Sequence, residues 1–304
     1  MIWWCVIDDV VAGEHDSPVF SSSFSNVELA KAEEHLRKHH HATVHSIQYA
    51  IGQLEQTLHG ISAVLSLWNP RVTQPLDTTT SQLWLMAGNF TGSHLDIIEA
   101  GWKVSCPYID QFFGFILSNS RLCLGYDNYE EIGCIDLHCP GFVQVSNVLA
   151  LGATIAPPFS TYQGAPAELG PINLSKDPTT GDWWLTSGFT AIGYWPKGLF
   201  QNGMQEGAAQ YGQWGGQVLN TWTNGQHTDT QMGSGHFASE GLYHASYHRN
   251  LISFDENDTM NAPDMDAMRI YTTNPSCYTW AKGTIPAWSS SFFFGGPGRN
   301  PNCP

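Results

Sequence analysis

The feature that most constrains the fold is a series of short apolar runs that begins near residue 41. Gly, Asn, Asp and Pro separate the runs, which is the pattern of β-strands joined by turns. The runs span residues 62–68, 81–86, 95–104, 142–153, 182–185, 213–220, 228–232 and 245–254. Roughly ten to fourteen strands follow from this spacing, and they suffice for two packed sheets. We therefore expect an all-β fold, an antiparallel β-sandwich of two large sheets.

Residues 1–40 have a different pattern, in which a Ser-rich stretch precedes a helical one. Asn26 can cap this helix, Glu28 lies in its first turn and two basic residues close its last turn, as the helix dipole favours. We expect a short N-terminal helical appendage at residues 1–40 and one β-sandwich domain at residues 41–304.

The charge and hydropathy of the chain exclude two classes of partner. Twelve Lys and Arg residues against 27 Asp and Glu residues give a formal net charge of -15, which repels phosphate backbones and anionic lipids. No apolar run approaches the roughly 20 residues that span a bilayer. We therefore expect no nucleic acid partner and no membrane insertion, and we expect the chain to be a monomer.

The seven cysteines suggest disulfides and an oxidising compartment. Cys134 and Cys139 suit a short local disulfide loop, and Cys277 and Cys303 could join the C-terminal tail to the domain. The alternative for the first pair is a metal-binding knuckle, but no second ligand pair has matching spacing. We expect no metal and no cofactor. At least one cysteine must stay unpaired. The candidates are Cys5, Cys106 and Cys123.

The cysteines also indicate that the protein is exported from the cell. Three acceptor sequons, at Asn89, Asn173 and Asn257, indicate glycosylation in the secretory route. Residues 1–7 run directly into two aspartates and lack the basic leader, apolar core and cleavage site of a signal peptide. We still expect a secreted, extracellular protein, because the cysteine pattern outweighs the missing leader.

Glu99 is a charged residue inside an apolar strand pattern, which makes it the first candidate for chemistry. Side chains alternate along a strand, so Glu99 shares a face with Gly101, while Trp102 lies on the opposite face. The run at 213–220 repeats this arrangement and places Gln217 beside Gly215. Strand glycines leave room for another backbone to approach. Two polar side chains, each next to a cleared position, predict a groove that accepts an extended chain.

Other residues offer weaker candidates. Carboxylates near the run at 213–220 lie in turn-like stretches, where a solvated charge is the ordinary interpretation. They are Glu206, Asp229 and Glu240. Twelve tryptophans, among them Trp183 and Trp184, could form a flat platform for sugars, which would indicate a carbohydrate-binding module. A glycosidase would need a second carboxylate roughly 5 to 9 Å from Glu99, and none is evident.

Several long and unusual strings give this chain a resemblance to the neprosin family. They are Ser-Leu-Trp-Asn-Pro at 66–70, Ile-Glu-Ala-Gly-Trp at 98–102, residues 134–144, Gly-Tyr-Trp-Pro at 193–196, Trp-Gly-Gly at 214–216, and residues 227–237 and 295–304. The strings occur in the order of the family, and the match covers about residues 40–304.

The resemblance implies a secreted β-sandwich with glutamic endopeptidase activity that cleaves proline-containing polypeptides after proline at acidic pH. Its two catalytic glutamates fall on Glu99 and on position 217, which is Gln217 in this chain. It also implies that residues 1–40 are a remnant of the activation peptide of many members. The substrate-binding residues expected from the matched motifs are Gly101, Trp102, Gly215, Gly216, His227, Gln231 and His236.

The amide at position 217 leaves two hypotheses. An amide can hold a water and donate a hydrogen bond to a developing oxyanion, but it cannot exchange a proton. In the first hypothesis Glu99 carries all proton transfer, and a second group of glutamic peptidases is similar in pairing one Glu with one Gln. In the second, Gln217 marks a lapsed homologue that binds protein or cell-wall carbohydrate.

Overall fold

The part of the chain that the computed structural model describes contains fifteen β-strands and three short helical segments. This part comprises residues 46–74, 77–88, 95–105, 115–122, 141–201, 203–221 and 226–304. The strands are β1 (Ser46–Leu58), β2 (Gly60–Ser66), β3 (Thr78–Gly88), β4 (Leu95–Ser105), β5 (Phe115–Leu122), β6 (Val143–Gln144), β7 (Glu168–Lys176), β8 (Trp183–Ser187), β9 (Thr190–Trp195), β10 (Ala209–Asn220), β11 (Ser246–Phe254), β12 (Met260–Asn261), β13 (Arg269–Thr272), β14 (Thr279–Lys282) and β15 (Ser291–Gly295).

The helical segments are single turns. They are a 3-10 turn at Lys197–Leu199, one α-helical turn, α1, at Gly203–Glu206, and a 3-10 turn at Ala238–Glu240. Within the described ranges, no helix has the length and apolar character needed to cross a membrane.

The strands form two sheets in which neighbouring strands are antiparallel. The six-stranded sheet has the order β13-β1-β10-β3-β4-β5. The nine-stranded sheet has the order β14-β15-β11-β2-β7-β8-β9-β6, and β12 pairs with β11. In the six-stranded sheet β3 lies between β4, which follows it in sequence, and β10, which comes much later. This order brings the two strands with the candidate residues to either side of β3.

Two tryptophans define which face of the six-stranded sheet points inward. Trp102 on β4 donates from Nε1 to the Ser66 carbonyl oxygen at 2.9 Å, and Trp214 on β10 donates to the Ser62 carbonyl oxygen at 3.2 Å. Both acceptors belong to β2 of the nine-stranded sheet, and both indoles have no exposed surface. Because side chains alternate, the residues between these inward positions face away from the second sheet. We call that side of the six-stranded sheet the outer face.

The predicted fold class, an antiparallel sandwich of two large sheets, is confirmed. Seven of the eight apolar runs contain strands, namely β2, β3, β4, β6, β8, β10 and β11. The appendage at residues 1–40 lies outside the described residues, so it stays a prediction, as does the domain boundary near residue 41.

Two of the strand predictions are wrong for most of their length. Of the run at 142–153 only β6 is a strand, because the Gln144 amide donates to the carbonyl oxygens of Ser146 and Leu149 and holds the chain in a turn. The run at 228–232 pairs with other strands only through a single bridge at Met232. Its hydroxyl groups are directed instead to the carboxylate of Asp77.

The predicted bridge between Cys277 and Cys303 is confirmed. The two Cα atoms are 5.4 Å apart, and both residues are buried. The other predicted pair, Cys134 and Cys139, lies outside the described residues. So do the three candidates for the unpaired cysteine, Cys5, Cys106 and Cys123.

Removing this bridge is expected to destabilise the fold. A cross-link over 26 residues restricts the unfolded chain, and the chain-entropy model assigns a bridge of this size about 3.5 kcal/mol. The free energy of unfolding of a Cys277→Ala, Cys303→Ala double variant, measured with urea, should fall by about that amount. Addition of a thiol reductant should then destabilise the natural chain more than the double variant. Equal stability of the two proteins under oxidising conditions would contradict a structural role for the bridge.

Candidate functional site

Glu99 lies in the middle of β4 on the outer face, with only 3% of its surface exposed. Its inward neighbours Ile98 and Ala100 pack into the core. Gln82 on β3 donates a hydrogen bond from Nε2 to Glu99 Oε2 at 2.9 Å. An N–H donor is the partner that a buried carboxylate requires, because an ionised carboxylate only accepts. Glu99 is therefore held by an amide of the neighbouring strand.

The register of β4, β3 and β10 places Gln82 between two glycines. Gln82 pairs with Gly101 on β4 and with Gly215 on β10. Glu99 lies in the next row of the sheet, where it pairs with Trp84 on β3. Cross-strand pairs share a face, so Gln82 has no side chain directly beside it on either neighbouring strand.

Gln217 lies in the row on the other side of Gln82, where it pairs with Thr80. Glu99 and Gln217 are thus on one face but two strands apart, about 10 Å across the sheet, and four positions apart, about 13 Å along it. Gln82 is the diagonal neighbour of both residues. Gln217 is only partly buried, whereas Glu99 and Gln82 are buried. The two candidates therefore flank Gln82 and are not adjacent to each other.

The glycines beside Gln82 are required by the sheet itself. A Cβ atom on Gly101 would lie 2.1 Å from the Ser81 carbonyl oxygen and 2.5 Å from Gln82 Cα. On Gly215, whose φ is +150°, it would lie 2.2 Å from the Ala50 carbonyl oxygen. The backbone that approaches each glycine is the adjacent strand. The missing side chains also leave Gln82 without a cross-strand neighbour on either adjacent strand, although only 1% of its surface is exposed.

Two polar atoms at the centre of this arrangement have no hydrogen-bond partner among the described residues. They are Oε1 of Gln82 and Oγ1 of Thr80, both buried and both on the outer face of β3. Buried polar groups in folded proteins are nearly always satisfied, and exceptions are associated with catalysis or with bound water. Both atoms lie in the stretch of β3 that separates Glu99 from Gln217.

An apolar cluster lies on the outer face and extends from the row of Glu99, through Trp84, to the row of Gln217, through Tyr49. Its buried members are Ile51, Trp84, Met86 and Ile97, and the partly buried Tyr49, Leu95 and Tyr211 pack against them. The Tyr49 and Trp84 rings meet edge to face with centroids 6.5 Å apart. Glu99 therefore has the apolar Trp84 beside it in its own row and the polar Gln82 in the next row.

Asp77, which the sequence analysis did not single out, ties together the ends of β3 and β10. It directly precedes β3 and is fully buried. Its carboxylate accepts hydrogen bonds from the backbone N–H and the hydroxyl of Thr221, which directly follows β10, at 2.9 and 2.6 Å. The hydroxyls of Thr228 and Thr230 donate to its other oxygen. This network fixes β3 and β10 relative to each other where the row of Gln217 and Thr80 lies.

Two of the predicted substrate-binding residues face the core. Trp102 is fully buried, and a Cβ on Gly216 would lie 2.6 Å from the Phe294 ring and 2.8 Å from Met232. These residues hold the two sheets together, and a substrate on the outer face would not contact them. Gly101 and Gly215 do lie on that face.

The three other predicted substrate-binding residues lie between β10 and β11. His227 is buried, and its Nδ1 is 3.0 Å from the Thr228 carbonyl oxygen. Gln231 accepts a hydrogen bond from the backbone N–H of Arg71 at 2.9 Å. His236 lies near the surface, where it pairs with Glu240 and stacks on Tyr162. These contacts are made within the loops of the molecule, and a role in substrate binding stays a prediction for all three.

The alternative carboxylates have other surroundings. Asp229 pairs with Arg299 at 2.6 Å, and Glu240 pairs with His236 at 3.0 Å. Glu206 is exposed at the end of α1. Trp183 is buried and donates to the Met204 carbonyl oxygen, so a flat platform built from Trp183 and Trp184 together is not formed.

Glycosylation stays a prediction. Asn257 lies in an exposed turn, whereas the Asn173 side chain is partly buried and donates to the Thr186 hydroxyl at 2.8 Å. Asn89 lies outside the described residues.

One group of potential metal ligands occurs in the described ranges. It comprises His227, Cys277 and Cys303, whose ligand atoms lie within 4.8 Å of one another. The two sulfur atoms are joined in the disulfide, and a metal binds the thiolate form of cysteine. The group in this state therefore lacks the ligands of a metal site.

The fold and this site define a two-sheet antiparallel β-sandwich that carries one buried carboxylate among amide side chains on an outer sheet face. The chain belongs to the neprosin family, whose model, described as Neprosin, matches residues 75–297. This membership supports a function of the peptidase type. Among solved structures, a crystal structure of Scytalido-glutamic peptidase with a peptide based transition state analog is similar, with a TM-score of 0.38 and 10% sequence identity. The match covers 83% of this chain and 98% of that chain.

Proposed function

We propose that the protein is a secreted glutamic endopeptidase that hydrolyses peptide bonds after proline at acidic pH, with Glu99 as its proton-transfer group. The observation that carries the proposal is the burial of Glu99 in the row next to Gly101, Gln82 and Gly215, on the same face as Gln217. Membership in the neprosin family supports the peptide substrate, and the disulfide between Cys277 and Cys303 supports secretion.

In the proposed reaction, Glu99 acts first as a base and then as an acid. It takes a proton from a water molecule as the water oxygen bonds to the scissile carbonyl carbon, and the C=O electron pair moves to the carbonyl oxygen. The amide N–H of Gln217 donates a hydrogen bond to this oxyanion. Glu99 then gives the proton to the amide nitrogen as the C–N bond breaks. One water is consumed, and the products are a new carboxyl terminus and a new amine.

The preference for proline has support on the outer face. Tyr49 pairs directly with Gln217 across β1 and β10, and Tyr211 lies on the same face of β10. Both rings are partly buried against the apolar cluster. Aromatic grooves receive proline rings in many peptide-binding domains, because the ring is apolar and loses little conformational entropy on binding.

The proposal is tested by incubating the full chain with a proline-rich protein between about pH 2.5 and 6 and identifying the new termini by mass spectrometry. We expect turnover within this acidic range, with fragments that end mostly in proline. Cleavage without any preference for proline would contradict the specificity and leave the peptidase activity standing.

The second candidate function is that of a lapsed homologue that binds a polypeptide or a cell-wall carbohydrate, and the amide at Gln217 is the observation that favours it. The Gln217→Glu variant separates the two functions in the same assay. A natural chain without turnover, combined with turnover in the variant, would identify a lapsed enzyme. Binding to an insoluble polysaccharide without any proteolysis would favour the carbohydrate module.

A further inference from the structure

We propose that Gln82 is a catalytic residue, which holds the attacking water through its amide oxygen while its amide nitrogen holds Glu99. This inference rests on the proposed function, because it assigns a further residue to the same reaction. In this arrangement the amide that works directly with Glu99 belongs to β3, and Gln217 acts from the opposite side of the substrate.

The position of Gln82 is the first argument. Its strand lies between β4 and β10, and its row lies between the rows of Glu99 and Gln217. A peptide group that reached both residues would therefore pass directly over Gln82. The glycines at 101 and 215 remove the side chains that would otherwise stand on either side of Gln82.

The hydrogen bonding of Gln82 is the second argument. A primary amide offers two N–H donors and one oxygen acceptor. Nε2 donates to Glu99 Oε2 at 2.9 Å, which sets the orientation of the amide and leaves Oε1 free of the carboxylate. Oε1 is buried and has no partner among the described residues, although Gln82 has only 1% of its surface exposed. A purely structural glutamine in a sheet would satisfy its acceptor within the fold.

A water molecule fits the chemistry of this pair. Water has two O–H donors, and Oε1 of Gln82 and the carboxylate of Glu99 are two acceptors held on neighbouring strands. A water that donates to both directs a lone pair of its oxygen away from them, toward the carbonyl carbon of a peptide above the row. Glu99 then receives one proton, and the hydrogen bond to Gln82 keeps the water oriented as the C–O bond forms. The Thr80 hydroxyl, also buried without a described partner, lies one row away beside Gln217.

The test measures kcat and KM for a proline-containing peptide in four proteins: the natural chain, Gln82→Leu, Gln82→Glu and Gln53→Leu. Gln53 is the matched control, because it is a buried glutamine on the same outer face whose amide bonds to another side chain, Gln213, on β10. We expect Gln82→Leu to lower kcat by about 10² to 10³-fold, with KM within about threefold of the natural value. Gln53→Leu should leave kcat within about threefold of the natural value.

The pH profile of the Gln82→Glu variant is a readout that a purely structural role would not change. This variant also keeps the volume of the side chain, so it can be measured if Gln82→Leu fails to fold. Two carboxylates in this position would share one proton. The variant should therefore turn over substrate only in the pH range in which the pair holds that proton, so its profile gains an alkaline limb that the natural chain, with a single carboxylate, lacks.

The outcomes separate the two proposals. An active natural chain, with the kcat of Gln82→Leu within about threefold of it and an unchanged pH profile in Gln82→Glu, would overturn the role of Gln82 and leave the peptidase function standing. A similar loss of kcat in Gln53→Leu would also overturn the role of Gln82, because a general disturbance of the sheet would then explain the loss in both variants. A natural chain that cleaves no peptide would overturn the proposed function, and the role of Gln82 with it.

Discussion

Replacement of Glu99 by glutamine is expected to lower kcat/KM by about 10³-fold or more, because the proposed mechanism has no second group that can exchange the proton. The polar side chains that the proposed mechanism places with Glu99 are Gln82 and Gln217, and their amides do not titrate in the acidic range. The loss should appear in kcat, since the substituted side chain keeps the size and the acceptor oxygen of the original.

The stability of this variant should change little, and that distinguishes a catalytic role from a structural one. Gln82 can still donate to the amide oxygen of the new glutamine. The matched control is Glu55→Gln on β1, because Glu55 lies on the same face of the same sheet but is exposed and pairs with Arg269 at 3.4 Å. Peptide hydrolysis and urea unfolding should be measured for both variants. Natural activity in Glu99→Gln would remove the site assignment altogether.

The sequence was sufficient to predict the fold class and the face on which Glu99 lies, because both depend on local alternation. Trp102 and Glu99 differ by three positions, so they must point to opposite sides of any regular strand. Gly101 and Gly215 could be recognised as strand glycines for the same reason. The bridge between Cys277 and Cys303 was one pairing that the sequence allowed, and the structure confirms it.

The centre of the site could not be predicted from local patterns, because it depends on which strands pair. Gln82 is an unremarkable polar residue in the sequence of β3, and its significance appears only once β10 is known to lie beside it. Pairings between distant segments leave no mark on the periodicity of either segment. The same applies to Asp77, whose partners come from a loop that follows β10. The run at 228–232 was predicted as a strand because its side chains alternate as in a strand. Its threonine hydroxyls donate hydrogen bonds to the carboxylate of Asp77, and the run does not join a sheet.

Acidification is expected to cost this fold about 4 to 5 kcal/mol through one buried histidine, His248 on β11. The His248 ring lies fully buried between the sheets, where its Nε2 is 2.8 Å from the Ser81 hydroxyl and the Phe292 and Phe294 rings pack against it. Burial lowers the pKa of His248 from 6.5 to about 3, since removal from water disfavours the charged imidazolium.

The direction in which the free energy of unfolding changes with pH follows from the number of protons that the folded and unfolded states bind. Between pH 6.5 and about 3 the unfolded chain protonates this histidine and the folded chain does not. Acid therefore favours unfolding, by about 1.4 kcal/mol for each pH unit. The stability that the neutral ring provides is complete above pH 6.5 and is lost as the pH falls to about 3.

The His248→Gln variant isolates this contribution, because its amide can still reach Ser81 but does not titrate. The free energy of unfolding of both proteins should be measured with urea from pH 7 to about pH 3, and the difference between them should shrink or reverse as the pH falls. Carboxylates also contribute to the pH dependence of the free energy of unfolding between pH 7 and about pH 3. Burial would raise the pKa of Glu168, but hydrogen bonds from Arg249 and Tyr247 lower it, and this contribution is common to both proteins.

Parallel pH dependence in the natural chain and in His248→Gln would contradict the prediction. If the predicted difference is found, it bears on the proposed activity, because Ser81, the partner of His248, directly precedes Gln82 on β3. A charge that forms at His248 would perturb β3 directly beside Gln82, which holds Glu99. An enzyme that works in acid would then have its lower pH limit set by this histidine in the core, below which unfolding ends turnover. In that case His248→Gln should extend activity to lower pH, while its profile at higher pH stays that of the natural chain.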